Sequence, residues 1–428
     1  MLKTINEMKV FIIVWFGQLF SLTGSNLTGF ALGVWVFQLT GSATQFALIS
    51  LSVMLPGILI SPIAGALIDR WDRRWVMIVS DIGAAVCTVG LFIIANELKI
   101  WHIYLATALI SICNAFQQPA YLASVTMLVP KQNLSRANGM MQLGEAIPLL
   151  ISPILGGLLL VAIQLSGILL LDLTTFAIAV LTLLLVKFPN VAVTTEKNSL
   201  FQDALSGWHY LILRPGLLGL LALFAVSNFL TGIVGVLITP LILSFSSAVA
   251  LGSILSIGGI GMLVGSLVMS IWGGPKRLVH GVLGFQLLSG IWIIVAGLDN
   301  NVTTLAISAF LFFFGLPIIN GCSHTILQKK VKPEIQGRVF AMGRMLAWST
   351  LPLAYIIAGP LADYIFEPLM ANNGYLANSI GQIIGVGSGR GIGLLFIIFG
   401  ILNILVTIIF YYYPRLRLLE DELPDFIE

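Results

Sequence analysis

Residues 65–74 read Gly-Ala-Leu-Ile-Asp-Arg-Trp-Asp-Arg-Arg. Five of these ten side chains are charged, in a chain where charged residues make up only 9% of the total. One apolar run ends just before them and another begins at Trp75, so the chain leaves a hydrophobic phase here and re-enters it. Working outward, twelve apolar runs of about 20 residues or more, the length that crosses a bilayer, alternate with polar breaks. They cover roughly 9–38, 43–68, 75–95, 101–128, 137–163, 167–187, 217–244, 249–273, 279–298, 302–328, 338–364 and 392–413. Hydrocarbon offers the backbone no water, so runs of this kind must form helices. The expectation is an all-α integral membrane protein with twelve transmembrane helices. A hydrophobic share of 58% excludes both a water-soluble fold and disorder. The first run lacks a small-residue cleavage site and is too long for a removable signal, so it is read as a retained helix.

Orientation follows from Lys and Arg. Of the 21 in the chain, only Lys99 and Arg390 fall on one side of the predicted topology; the others lie in the termini, the even-to-odd connections or adjacent helix ends. Both termini are therefore expected in the cytoplasm, in a multi-pass protein of the cell (inner) membrane. The only long polar connection in the middle divides the chain into a six-helix bundle over 1–187, a linker over 188–214 and a second six-helix bundle with a short acidic tail over 215–428. Within the linker, Leu200, Phe201, Ala204, Leu205, Trp208, Leu211 and Ile212 recur at helical spacing, as in an amphipathic helix on the membrane face. The halves echo one another. Arg73-Arg74 returns 203 residues later as Lys276-Arg277, and the loop from Val129 to Arg136 returns as Val331 to Arg338. Parallel repeats of this kind suit an alternating-access transporter.

The opening stretch resembles the signature of the major facilitator superfamily, Gly-x-Leu-Ala-Asp-Arg-x-Gly-Arg-Lys. Gly65, Leu67, Asp69, Arg70, Arg73 and Arg74 match, and Asp72 stands in place of the usual glycine. A closer resemblance, to macrolide-efflux and enterobactin-exporter-like proteins, rests on Thr40-Gly41-Ser42-Ala43, on Asp172 with Phe176, and on Gly337-Arg338-Val339. The resemblance implies two pseudo-symmetric six-helix bundles. It also implies that Asp69 faces the start of the eleventh helix near Gly337 and Arg338, as a latch that breaks during transport. The alternative is that these charges only anchor a loop on the positive side.

In the fifth helix, Gly139, Pro148, Ser152-Pro153 and Gly156-Gly157 partly match the exporter motif of the same superfamily, in which small residues and prolines suit a hinge. The alternative is ordinary transmembrane helix packing. Charges inside the spans are the candidates for coupling. Glu145 lies about 12 Å into the fifth helix at 1.5 Å per residue, placed to exchange protons, to meet a cationic substrate group, or to pair with Arg344 at similar depth. His324 in the tenth helix is read as a proton-exchanging or a structural histidine. Asp81 is read as a partner of the loop arginines, and Asp172 and Asp363 as caps or gate contacts near the outer helix ends. The fourth helix carries no arginine; its residues 114–120 are Asn-Ala-Phe-Gln-Gln-Pro-Ala. By the family's fold the substrate cavity draws on the first, fourth, seventh and tenth helices, with Gln18, Asn26, Asn114, Gln117, Tyr121, Asn228, Phe313, Phe314 and Asn320 as its lining. Such a lining suits a bulky, largely apolar molecule with hydrogen-bonding groups.

Several classes fall away. There is no Gly-x4-Gly-Lys-Ser/Thr loop for ATP, no clustered basic face for nucleic acid, and no Cys or His grouping for a metal or other cofactor. Cys87, Cys113 and Cys322 lie in apolar runs as packing residues. Gly385 to Gly391 is read as a flexible outer loop, and Glu420, Asp421, Glu422, Asp425 and Glu428 as a solvated tail. The expected function is a monomeric, non-enzymatic, proton-coupled exporter of a macrolide-like drug, siderophore or secondary metabolite. The alternative is a lipid flippase or non-transporting sensor on the same fold. Asp69→Asn is expected to leave the protein folded and inserted while strongly lowering transport; full transport by the inserted variant would contradict the latch.

Overall fold

The computed structural model describes residues 8–68, 71–129, 134–186, 188, 208–331 and 336–424. Among these residues the regular structure is helical throughout. The long helices are α1 (Lys9–Thr40), α2 (Ala43–Ile68), α3 (Arg73–Ile93), α4 (Ile100–Leu128), α5 (Leu134–Ala162), α6 (Gln164–Leu185), α7 (Pro215–Phe245), α8 (Ala248–Trp272), α9 (Leu278–Leu298) and α10 (Val302–Lys330). They are followed by α11 (Gln336–Trp348), α12 (Leu351–Pro360), α13 (Gly381–Ile384), α14 (Arg390–Tyr412), α15 (Pro414–Arg417) and α16 (Leu419–Glu422). Eleven helical stretches are long and apolar enough to cross a membrane. One of them, Leu143–Leu185, has 43 residues, about 65 Å of helix at 1.5 Å per residue, twice a bilayer. It is broken where Gln164 takes φ of 58° between α5 and α6, which makes twelve crossings.

The run over 338–364 is not the single helix that its hydropathy suggests. Pro352 offers no N–H and its ring crowds the turn before it, so α11 stops at Trp348 and α12 restarts at Leu351. Two hydrogen bonds with α7 fasten this break. Asn228 Nδ2 donates to the Ala347 carbonyl at 2.9 Å, and Thr350 Oγ1 donates to the Ala225 carbonyl at 2.9 Å. Beyond Pro360 the helix widens into a π-turn over Leu361–Phe366, which carries Asp363 to the start of α2. There its carboxylate accepts from Ser42 Oγ at 2.6 Å, Ala43 N at 3.0 Å and Thr44 N at 2.8 Å. Gly359 admits this approach, because a Cβ there would stand 2.3 Å from Thr44 Cα.

The chain divides into two compact units. The first holds Met1–Gly41, Leu48–Thr195 and Ser247–Ser256; the second holds Ser42–Ala47, Glu196–Ser246 and Ile257–Glu428. In the first unit α1 lies along α5 and α6, and α3 lies along α4. One cluster of its core joins Phe11, Trp15, Met77, Val125, Met141 and Leu183; another joins Leu27, Leu32, Leu91, Ile103 and Ile168. Lipid is as apolar as these side chains, so close contact through small residues has to hold the helices together. Gly17 does this between α1 and α6, where a Cβ would fall 2.2 Å from Thr182 Oγ1. In the second unit α9 lies against α10 and α14, and a Cβ on Gly297 would fall 2.4 Å from the Gly393 carbonyl.

Residues 200–207 of the amphipathic segment lie outside the described residues. Residues 208–212 are helical, with Leu211 fully buried and Trp208 and Ile212 exposed. The outer connection 370–389 is not a loose loop. Gly387 N donates to the Met370 carbonyl at 2.9 Å, Glu367 accepts from Gly389 N at 3.1 Å and Ile392 N at 3.0 Å, and buried Arg390 donates to Asn300 and to the carbonyls of Gly297 and Leu298.

In the acidic tail Glu420 is docked, Asp421 and Glu422 are exposed, and Asp425 and Glu428 lie outside the described residues. Glu420 accepts from Leu278 N at 3.1 Å and Val279 N at 3.0 Å, capping α9 from the far end of the chain. Buried Lys330 donates to the carbonyls of Glu420 and Leu423, and Arg277 pairs with Asp421 at 3.4 Å. In the first half the equivalent cap is local, with Asp72 accepting from Arg74 N at 2.9 Å and Trp75 N at 3.2 Å. Glu420→Ala removes the only side-chain acceptor that these hydrogen bonds give α9. It is expected to destabilise the protein by about 1–2 kcal/mol, read as a lower thermal midpoint in detergent, with Glu422→Ala close to wild type.

Candidate functional site

A cavity of about 210 Å3 opens inside the first unit, lined from α1, α3, α4, α5 and α6. α1 supplies Trp15, Gln18, Ser21 and Ser25, α4 supplies Asn114, Gln117, Gln118 and Tyr121, and α5 supplies Met141, Gly144 and Glu145. Asp81 of α3 and Phe176 of α6 complete the wall. Pro119 lies within α4 next to this stretch of polar residues, so the polar side chains and the proline share one segment of the helix.

Asp81 is the most deeply buried acid on that wall, only 4% exposed. Gln18 Nε2 donates to Asp81 Oδ2 at 3.1 Å, and Gln18 Oε1 accepts from Gln117 Nε2. The chain of donors orients the Gln18 amide, with nitrogen toward the acid and oxygen toward Gln117. Among the described residues Asp81 makes no ion pair. Of the loop arginines expected to pair with it, Arg70 lies outside the described residues. Arg74 instead donates to the carbonyls of Leu183 at 2.8 Å and Leu184 at 2.9 Å, at the C-terminal end of α6 where a cation is favoured. Arg73 reaches Met127 Sδ at 3.1 Å. The missed signal was depth. Asp81 stands eight residues after Arg73, two turns into α3, and it shares a buried face with Met77, Ala84 and Thr88.

Glu145 is exposed and opens onto the cavity. Beside it the Trp15 indole is fixed by donating to the Met140 carbonyl at 2.7 Å, and a Cβ on Gly144 would come within 3.0 Å of that indole nitrogen. The glycine therefore makes room for the ring that forms the floor next to Glu145.

Of the predicted lining, Gln18, Asn114, Gln117 and Tyr121 meet in this cavity. The others go elsewhere. Asn26 donates to the Leu22 carbonyl of its own helix, Asn228 holds the α11 break, and Phe314 stacks with Phe285 and Phe310 in the core of the second unit. Phe313 lies against Gly258 of α8, and Asn320 and His324 are exposed on α10. Asp69 and Arg70 lie outside the described residues, as do the side chains of Gly65, Gly139, Gly337, Arg338 and Arg344.

The fifth-helix motif is a contact surface. Ser152, buried, donates to the Thr23 carbonyl at 3.3 Å, and Gly156 admits Phe30 of α1. On the other side a Cβ on Gly157 would fall 2.7 Å from the Ala248 carbonyl, and one on Gly252 would fall 2.2 Å from the Pro153 carbonyl. Ser256 Oγ closes the same contact by donating to the Leu150 carbonyl at 2.7 Å. Because Gly252 meets rigid backbone, Gly252→Ala is expected to cost ~3 kcal/mol or more and to cut the yield of monodisperse protein several-fold. Gly29→Ala, with nothing within 4 Å of the added methyl, should leave the yield unchanged.

Residues 14–355 match the family described as the Major Facilitator Superfamily. Macrolide efflux protein A of Streptococcus pyogenes is 27% identical over 378 residues, covering 83% of this chain and 90% of that protein. The multidrug efflux pump Tap of Mycobacterium tuberculosis is 24% identical over 382 residues, covering 85% of this chain and 89% of that protein. Among solved structures, a bacterial homologue of the human lysosomal transporter Spinster superposes with a TM-score of 0.72 at 14% identity, over 97% of this chain and 98% of that one. The nucleoside transporter NupG superposes with a TM-score of 0.69 at 15% identity, over 94% of this chain and 98% of that one. The two solved structures speak for the fold alone.

Proposed function

The chain belongs to the Major Facilitator Superfamily, and from that premise we propose that it is a proton-coupled exporter of bulky amphipathic compounds. The substrate class is a macrolide-like drug, a siderophore or a secondary metabolite. The observation that carries this reading is the cavity in the first unit, where Gln18, Asn114, Gln117 and Tyr121 lie among aromatic rings with Asp81 and Glu145 as its two acids. Amides and a phenol recognise hydroxyl and carbonyl groups without demanding charge, while Trp15 and Phe176 offer apolar faces. At about 210 Å3 the space is smaller than the roughly 300–1,000 Å3 of a drug-sized pocket. It therefore takes a sugar-like or amine-bearing portion of a larger molecule. The efflux proteins named above, similar to this chain over most of its length, support the direction of transport.

Coupling needs a group whose protonation differs between the two conformations, because a ligand shifts an equilibrium only through differential affinity. Glu145 is the group proposed, since it reaches the cavity and no described cation holds it. Asp81 is the second, tied to the substrate amides through Gln18. The chain acts as a monomer, with both termini in the cytoplasm as the placement of Lys and Arg requires.

Glutamine mimics a protonated carboxyl but cannot release a proton. Reconstituted Glu145→Gln is therefore expected to lose uphill accumulation of a radiolabelled macrolide under an imposed pH gradient, by tenfold or more, while equilibrium binding stays within about twofold of wild type. Undiminished accumulation would discard Glu145 and shift coupling to Asp81 or His324.

A further inference from the structure

A second acid is buried in the first unit, away from the cavity wall. Asp172 of α6 is 2% exposed, against α1. Its Oδ1 accepts a long hydrogen bond from Ser25 Oγ at 3.4 Å. The hydroxyls of Thr28 on α1, Thr88 on α3 and Thr175 on α6 lie beside the same carboxylate. Position in the sequence suggested a cap or gate contact near the outer end of the sixth helix. Instead the group is enclosed among four hydroxyls, and among the described residues no Lys, Arg or His pairs with it.

The direction of those hydroxyls is informative. Thr88 Oγ1 donates to the Ala84 carbonyl at 3.3 Å, and Thr175 Oγ1 donates to the Asp172 carbonyl at 2.7 Å. These two hydroxyls thus have a main-chain carbonyl as well as the carboxylate within reach. Thr28, only 4% exposed, lies beside the carboxylate, and no partner meets ordinary hydrogen-bond geometry at its buried Oγ1. Gly24 marks where the oxygens converge, since a Cβ there would lie 2.1 Å from Thr175 Oγ1 and 2.8 Å from Asp172 Oδ1.

We propose that Asp172, Ser25, Thr28, Thr88 and Thr175 form a binding site for a sodium ion. The groups that meet Asp172 among the described residues are hydroxyl oxygens, which select a hard cation over a soft one. One carboxylate balances one positive charge; a divalent ion would leave a net charge in a low-dielectric interior, at high cost. An alkali cation takes lone pairs from several oxygens at once, and Thr88 and Thr175 can keep their protons on main-chain carbonyls while it is bound. Ser25 also lines the cavity, and Phe176, one turn from Asp172, does the same. Ion occupancy therefore reaches the substrate wall through α1 and α6. The use of such an ion in transport rests on the exporter reading above, but its binding does not.

The test is equilibrium binding of radioactive sodium to the purified full-length protein in detergent, in choline-balanced buffer at fixed pH. About one ion per chain is expected, displaced by unlabelled sodium and not by choline. Asp172→Asn and Thr28→Val should each weaken binding about tenfold or more, and Thr28→Ser, which keeps the oxygen, should retain it. Should Asp172→Asn fail to fold, the contrast between Val and Ser at position 28 decides alone. Absence of saturable sodium binding in the wild type, as a site occupied by protons only would give, overturns the proposal. So does equal binding by Thr28→Val and wild type. A protein that binds sodium yet exports no macrolide keeps the site and loses the exporter reading; one that exports on a pH gradient and binds no sodium loses the site alone.

Discussion

Every polar group in a membrane span must find its partner inside the protein, because hydrocarbon supplies none. For the main chain this requirement yields long helices. It leaves two harder problems, the free N–H groups at helix starts and the carboxylates buried between helices. Three acids answer the first. Asp72 caps α3 from the adjacent residue, Asp363 caps α2 from a π-turn 319–321 residues away in sequence, and Glu420 caps α9 from 141–142 residues away. Each places negative charge on the positive end of a helix dipole.

The comparison between α3 and α9 separates what a repeat preserves from what it leaves free. Both helices follow a basic pair, Arg73-Arg74 and Lys276-Arg277, and both start with unsatisfied amides. In the first half the aspartate just before the helix bonds those amides. In the second half Arg277 makes no side-chain cap, and the C-terminal segment folds back to supply the acceptor while Lys330 holds that segment by its carbonyls. The need is conserved between the halves and the means are not. Glu420, which looks like part of a solvated tail, becomes part of the second unit, next to Leu416 and Leu419 of its core.

The buried carboxylates answer to the same rule in another way. Asp81 of α3 and Asp172 of α6 lie on two helices that pack against one another in the first unit, and they face no described cation, each held by neutral donors. A carboxylate in such surroundings is stabilised by amide and hydroxyl dipoles rather than by a fixed counter-charge. That arrangement leaves room for a mobile positive charge. A permanent arginine partner would have filled it. The polar wall around Gln18 and the hydroxyl cage around Asp172 are thus two versions of one device, joined by Ser25, which touches both.

Number and approximate length of the spans were legible in the residues alone, because bilayer thickness turns a three-dimensional fold into a one-dimensional count of apolar residues. The glycines and prolines of α5 were legible as a contact surface for a similar reason: small side chains at helical spacing permit only close approach. Tertiary structure decided the rest. Pro352 stood in the sequence, yet only the arrival of Asn228 and Thr350 contacts on α7 explains how the broken span is held. Gln18 and Gln117 were expected in one cavity and meet there, and only the structure shows Asn228 bonded to the Ala347 carbonyl and Phe314 packed with Phe310. Asp81 and Asp172 were assigned to helix ends and lie in the interior instead. The physical reason is that apolarity and length are properties of each residue in turn, whereas the partner of a buried polar atom is set by which helix face meets which neighbour. In a chain whose helices are apolar all round, that choice is made by glycine contacts and a few hydrogen bonds that periodicity does not reveal.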